Sequence, residues 1–267
     1  VESKTCLGHH AARGLPPAMD APYQMNPFEL RGDILKLLTN HWVIIPAAGS
    51  GTRMSGPCPK QYLKLHQTPI LQLTLERLNL PNIAGMVVCL AEHDEYWDTL
   101  TLPRPIIRAP GGIERCHSVF NGLQVLRQYA SPDDWVLVHD AARPCVRTAD
   151  IAKLMTELAD HPVGGLLAVP VRDTMKRVKP GQSLEVLATV SRVGLWHALT
   201  PQMFRLGLLY TALAEVLNRG HLVTDEAEAV ERMGNWPVLV EGHADNIKIT
   251  QPPDLELAQL YLQQQLQ

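Results

Sequence analysis

Short, almost wholly apolar runs alternate with stretches of helical spacing along this chain, and that rhythm leaves few architectures open. Trp42 to Ala48 reads WVIIPAA, with no polar face, as a strand buried on both sides requires. A glycine-rich loop follows, and then helical spacing over Leu71 to Leu80. GMVVCLA (Gly85 to Ala91) and PIIRA (Pro105 to Ala109) read as the second and third strands. Ser118 to Tyr129 reads as a helix with Val119, Leu123 and Leu126 on one face. WVLVHD (Trp135 to Asp140), a helix over Ile151 to Ala159 and the strand GGLLAVPV (Gly164 to Val171) continue the series. This order predicts an α/β fold: a mainly parallel, twisted, Rossmann-like sheet flanked by helices. Such sheets bind ligands at the carboxyl ends of their strands. The positions to watch are therefore those just after Ala47, Ala109, Asp140 and Val171.

Residues 172–200 break the rhythm. Two alternating runs flank KPGQ, which predicts a β-hairpin with a type I or II turn at Pro180-Gly181. A projecting arm at about 172–195 is expected, and arms of this kind meet a partner. A helix near 203–218, a short helix after Thr224, a strand at PVLVE and a Gln-rich terminal helix complete the reading.

Composition excludes more than it assigns. With 24 Lys+Arg against 27 Asp+Glu, the formal charge is −3, which excludes nucleic-acid or membrane-surface binding driven by net charge. Any anion must be held by a local site. The five cysteines (Cys6, Cys58, Cys89, Cys116, Cys145) contain no C-x-x-C pair, so neither a disulfide framework nor a zinc cluster is expected. That usage suits a reducing, cytoplasmic setting. No apolar run approaches the ~18 residues of a membrane span. Residues 1–40 are expected to be an extension outside the fold, unstructured or added upstream. The first residue is Val, and Met25 or Met19 is the expected initiator.

Chemistry first appears in PAAGSGTRMSGPCPKQ, Pro46 to Gln61, straight after the first strand. Pro46, Ala47, Ala48, Gly49, Gly51 and Thr52 are small enough for backbone N–H groups to approach a phosphate closely. Arg53 and Lys60 are the only charged residues of this stretch, giving a local +2. The loop is not a Walker A motif. Nor is it a dinucleotide fingerprint, because Met54 stands where the third glycine belongs, and this argues against a dehydrogenase. A plain strand-to-loop turn is the structural alternative.

PAAGSGTRM…CPKQY resembles the nucleotide-binding loop of nucleotidyltransferases. Followed in order by VHDAARP, PVRDTMKR, LWHALTPQ, TDEA and DNIKIT, it resembles the 2-C-methyl-D-erythritol 4-phosphate cytidylyltransferases of the non-mevalonate isoprenoid pathway. The resemblance runs from about Trp42 to Leu262 and implies one catalytic domain over 41–267 with the arm inside it. It implies transfer of CMP from CTP to the 4-phosphate of methylerythritol, with release of pyrophosphate. Two alternatives are a cytidylyltransferase for another polyol phosphate, such as ribitol 5-phosphate, and a nucleotide sensor without catalysis.

The resemblance also assigns residues. Arg53, Lys60, Arg192 and Lys248 would be catalytic. Pro46, Ala47, Ala48, Gly49, Gly51 and Thr52 would hold the nucleotide with Arg53, Lys60, Gly112, Ser118 and Ala141. Asp140, Arg143, Thr174, Arg192, Thr200, Thr224 and Lys248 would hold the polyol phosphate. A divalent cation, Mg²⁺, would use Asp140 and Asp245. The arm implies a homodimer in which Arg192 serves the neighbouring subunit. Read on residues alone, Asp140 caps a helix or pairs with Arg143, and Thr224 or Asp225 caps the helix beginning TDEAE. Arg115 is either a support for the base loop or an ordinary helix-start arginine, and His139 is a packed strand residue. Ile113 stands where many relatives carry an acid, so no side-chain contact from there to the base is expected.

Overall fold

The computed structural model describes residues 39–49, 51, 54, 58–181 and 184–266. The expected extension therefore lies, except for residues 39 and 40, outside the described residues. Strand β1 (His41–Pro46) leads into the glycine-rich loop and a 3-10 turn at Lys60–Tyr62. A small hairpin, β2 (Lys64–Leu65) and β3 (Thr68–Pro69), turns through His66 and Gln67, both at positive φ, and feeds α1 (Ile70–Leu78). Next come β4 (Ile83–Leu90), β5 (Ile107–Pro110), α2 (Arg115–Leu126), β6 (Trp135–Val138), α3 (Thr148–Glu157) and β7 (Gly164–Pro170). The arm strands β8 (Met175–Val178) and β9 (Val186–Val190) pair with each other in a separate antiparallel sheet. The chain closes with β10 (Trp196–Arg205), α4 (Leu206–Asn218), α5 (Glu226–Glu231), β11 (Val238–Glu241) and α6 (Pro253–Gln264).

Seven strands form one sheet in the order β11-β7-β10-β6-β1-β4-β5. All run parallel except β10, which is antiparallel to both β6 and β7. The apolar run of β1 explains its central place. Val43 and Ile45 face a core with Leu71, Leu75 and Leu154, whereas Ile44 faces a second core with Val119, Leu123 and Leu213. Both faces are covered, and each such buried side chain contributes about 1.5–3 kcal/mol. A third cluster, including Leu65, Ile70, Cys145, Ile249 and Leu262, packs α6 beside the site.

The sequence reading missed β10. Residues 196–200 were expected to close the hairpin, and a helix was expected from about 203. Pro201 argues against a central strand because it has no N–H for the ladder. The ladder to β7 shifts register between Ala198 and Gln202, and pairing with β6 starts at Gln202, so Pro201 falls in the gap. The antiparallel pairing of β8 with β9 is as expected, whereas Gly181, at φ 138, fits neither of the expected turn types, and residues 182 and 183 lie outside the described residues.

Candidate active site

A cavity of about 480 Å³ opens at the carboxyl ends of β1, β5 and β6, three of the four positions the sheet rule selects. Its first wall is the loop after β1. The Ala47 N–H donates to the Cys89 carbonyl (2.9 Å), and the buried Gln61 amide donates to the Ala47 carbonyl (2.7 Å). Gly51 sits at φ 65, a left-handed conformation natural to glycine. Lys60 crosses this loop, and its Nζ donates to the Ile249 carbonyl at 3.1 Å. Thr52 and Arg53 lie outside the described residues.

The second wall is the turn before α2. A Cβ on Gly111 would stand 2.1 Å from the Ala48 Cβ, so the Ala48 methyl packs directly against the bare Gly111 backbone. The Gly112 N–H donates to Ser118 Oγ at 2.9 Å. Glu114 caps α2 in a reciprocal box with His117, so the helix starts at Arg115, one turn earlier than expected. Ile113 is 95% exposed at the rim.

Asp140 forms the floor and gathers cations from three segments. Its Oδ1 accepts from Arg115 Nε (2.9 Å), while Oδ2 lies 3.1 Å from Arg143 Nε and 3.0 Å from Lys248 Nζ. Burial alone would raise the carboxyl, but Arg115, Lys248 and Arg143 outweigh it and hold it well below the usual carboxylate range. Lys248 reaches this point because the Ile249 N–H donates to the Ala142 carbonyl (2.9 Å).

Beneath the floor His139 is fully buried. Its Nε2 lies 3.1 Å from the Arg143 carbonyl and its Nδ1 2.9 Å from Thr200 Oγ1. The neutral tautomer protonated on Nε2 satisfies every partner: Nε2–H donates to the carbonyl and the Thr200 hydroxyl donates to Nδ1. Thr200 Oγ1 in turn accepts the Asp140 N–H (3.1 Å). Burial pushes the imidazole down to about 4.

A family model described as 2-C-methyl-D-erythritol 4-phosphate cytidylyltransferase matches residues 41–264. The chain belongs to this family. The chain is 54% identical over 224 residues to a curated member from Pseudomonas entomophila, covering 82% of this chain and 94% of the relative. A Hahella chejuensis member is 50% identical over 229 residues, covering 85% and 94%. The solved Francisella tularensis enzyme of the same name superposes with a TM-score of 0.73 at 38% identity, covering 84% of this chain and all of that one.

Against this membership the expected residues divide into three groups. Pro46, Ala47, Ala48, Gly49, Gly51 and Lys60 line the cavity, as do Gly112, Ser118, Asp140, Ala141 and Lys248. Thr200 and Arg143 stand behind it: Thr200 is 4% exposed with its hydroxyl engaged as above, and Arg143 Nη1 donates to the Asn246 carbonyl (2.7 Å). Neither residue lines the cavity, and both support Asp140 from behind; the plain expectation that Asp140 pairs with Arg143 is also met.

Thr174, Arg192, Thr224 and Asp245 are absent from the lining. Thr174 precedes β8, and Arg192, which donates to the Arg172 carbonyl, lies between β9 and β10. Thr224 donates through its hydroxyl and N–H to Glu228, while Asp225 is the cap of α5. Asp245, expected beside Asp140 at a metal, is instead drawn to Arg147 (2.7 Å) and Gln265 (2.9 Å). Among the described residues no three His, Cys, Asp or Glu gather to hold a metal ion. Arg115 proves to be more than a helix-start residue. Besides Asp140 it holds Glu226, a buried partner that the sequence reading missed.

Proposed function

We infer that this chain transfers the cytidylyl group of CTP to 2-C-methyl-D-erythritol 4-phosphate. An oxygen of the acceptor phosphate attacks the α-phosphorus, the bond from that phosphorus to the β-phosphate bridge breaks, and pyrophosphate leaves with the electron pair. The acceptor dianion is already a nucleophile, so the site must neutralise charge and align the groups rather than supply a base. The observation that carries this reading is Lys60 and Lys248 facing one cavity beside the small-residue loop, with Asp140 between three cations. Lys60 is proposed to neutralise the triphosphate, with backbone N–H groups of the small-residue loop donating to it. Arg53, on the same loop, is proposed to assist. The buried His139 holds Asp140 from beneath and takes no proton.

Asp140 is one carboxylate at a cavity suited to a triphosphate, which fits a Mg²⁺ that takes its remaining ligands from phosphates and water. When bound, that ion would offset charge on the phosphates. Asp245 has no part in this reading. The rim glycines and the backbone around Gly112 are proposed to read the cytosine.

The arm carries Met175, Val178, Val186 and Leu187 in exposed positions, with the exposed Trp196 beside it at the start of β10. That apolar surface supports a homodimer with exchanged arms, in which Thr174 and Arg192 reach the partner's acceptor site. Among the described residues no helix is long and apolar enough to cross a membrane. Cys58, Cys89, Cys116 and Cys145 are free thiols, which supports the expected cytoplasmic setting.

The deciding experiment offers CTP and Mg²⁺ with methylerythritol phosphate or ribitol 5-phosphate and measures pyrophosphate release. Turnover with methylerythritol phosphate is expected. Turnover with ribitol 5-phosphate alone would overturn the substrate, and binding of CTP without any turnover would favour a sensor.

A further inference from the structure

Glu226 is 1% exposed, lies in the first turn of α5 and does not line the cavity. Its Oε1 accepts from Arg115 Nη1 (2.7 Å) and its Oε2 from Nη2 (3.0 Å), which occupies the forked edge of the guanidinium. Only the Nε edge is left to face Asp140, and it meets Oδ1 at 2.9 Å. We propose that Glu226 is a positioning residue that, by holding the Arg115 fork, fixes the Asp140 carboxylate and keeps Lys248 directed at the substrates.

A guanidinium released from Glu226 would be free to present its fork to Asp140 and claim both carboxylate oxygens. Bidentate pairing is its preferred geometry with a carboxylate. Oδ2 now belongs to Arg143 and Lys248, so Lys248 would lose the contact that places it at the cavity. Glu226 is itself held rigidly. The Gln202 side chain on β10 accepts the Ala227 N–H (2.9 Å) and donates to Asp225 Oδ2 (3.0 Å), tying the start of α5 to the sheet. The relay thus runs from a central strand, through Gln202, Glu226 and Arg115, to Asp140. A buried ion pair of this kind adds little net stability, which argues against a merely structural purpose.

The proposal rests on the reading of the cavity as the catalytic site, and Asp140→Asn tests that reading separately. An Asp140→Asn enzyme with unchanged turnover would remove the site assignment itself. The test of the relay is a double-mutant cycle of Glu226→Gln and Arg115→Met, with kcat, both KM values and melting temperature measured for each protein. Glu226→Gln is expected to lower kcat/KM on the order of 10²-fold, the scale of a misplaced catalytic group. The double variant should be no worse than Arg115→Met alone, because both changes break one relay. Losses that multiply, or a lowered melting temperature with unchanged kinetics, overturn the proposal. Should Glu226→Gln fail to fold, Arg115→Lys serves, since an ammonium keeps the charge but has no fork. The same kinetic loss is expected there, and unchanged kinetics would overturn the relay.

Discussion

The stem of Lys60 occupies the space that a side chain on Gly51 would need: an added Cβ would stand 2.8 Å from Lys60 Cγ and 2.9 Å from its Cβ. Gly51 also holds φ at 65, which costs an L-residue about 1–2 kcal/mol. Gly51→Ala is therefore expected to displace Lys60 and lower kcat/KM on the order of 10²-fold. The melting temperature should fall by only several degrees, the shift that about 1–2 kcal/mol produces in a domain of this size. Steady-state kinetics beside thermal melts check this, and unchanged kinetics would mean that Lys60 does not depend on the glycine.

Among the described residues, Lys248 is the one cation at Asp140 that also lines the cavity without an ion pair to a second carboxylate. Lys248→Met should lower kcat on the order of 10²- to 10³-fold, as loss of one transition-state donor does. Asp140 keeps Arg115 and Arg143, so folding is expected to survive. A circular-dichroism spectrum like that of the wild type together with lost turnover is the expected pair of results. Full turnover would remove Lys248 from the catalytic set.

The proposed arm exchange makes a stronger demand. Arg192→Ala and Lys60→Ala should each be inactive as homodimers while CTP binding persists in the arm variant. A heterodimer of the two has one site with both native residues, and should recover up to half the activity per confirmed heterodimer. No recovery would refute a shared site.

Much of this fold was legible because burial on both faces leaves a compositional mark. Val43, Ile44 and Ile45 form a run that tolerates no polar residue, and β4, β6 and β7 show the same sign. β10 was not legible, because Pro201 contradicts a central strand and only a gap in the ladder resolves the conflict. The phosphate loop could be read locally, since small residues and two basic ones lie within one stretch that contains no acid. Glu226 could not, because its partner Arg115 is 111 residues away and TDEAE read simply as a helix start. The partners of Asp245 were not legible for a related reason: motif order says which residues occur, not that Arg147 and Gln265 both donate to this carboxylate.

His139 sets a pH limit on stability whose sign follows from its burial. In the folded chain burial holds the imidazole near 4, whereas an unfolded chain titrates at its ordinary 6.5. Between those values the unfolded state binds the extra proton, so stability rises with pH across the window. The contribution is complete above about pH 6.5 and is lost as pH falls toward 4, amounting to about 3 kcal/mol. A proton on Nδ1 would also confront the Thr200 hydroxyl that now donates there and supports the Asp140 N–H. Asp140 itself stays ionised throughout, because its three cations hold it below this range. Melting temperatures from pH 7 to 4 should thus fall steeply in the wild type and less steeply in His139→Gln. Parallel curves for the two proteins would show that the buried imidazole is not the group responsible.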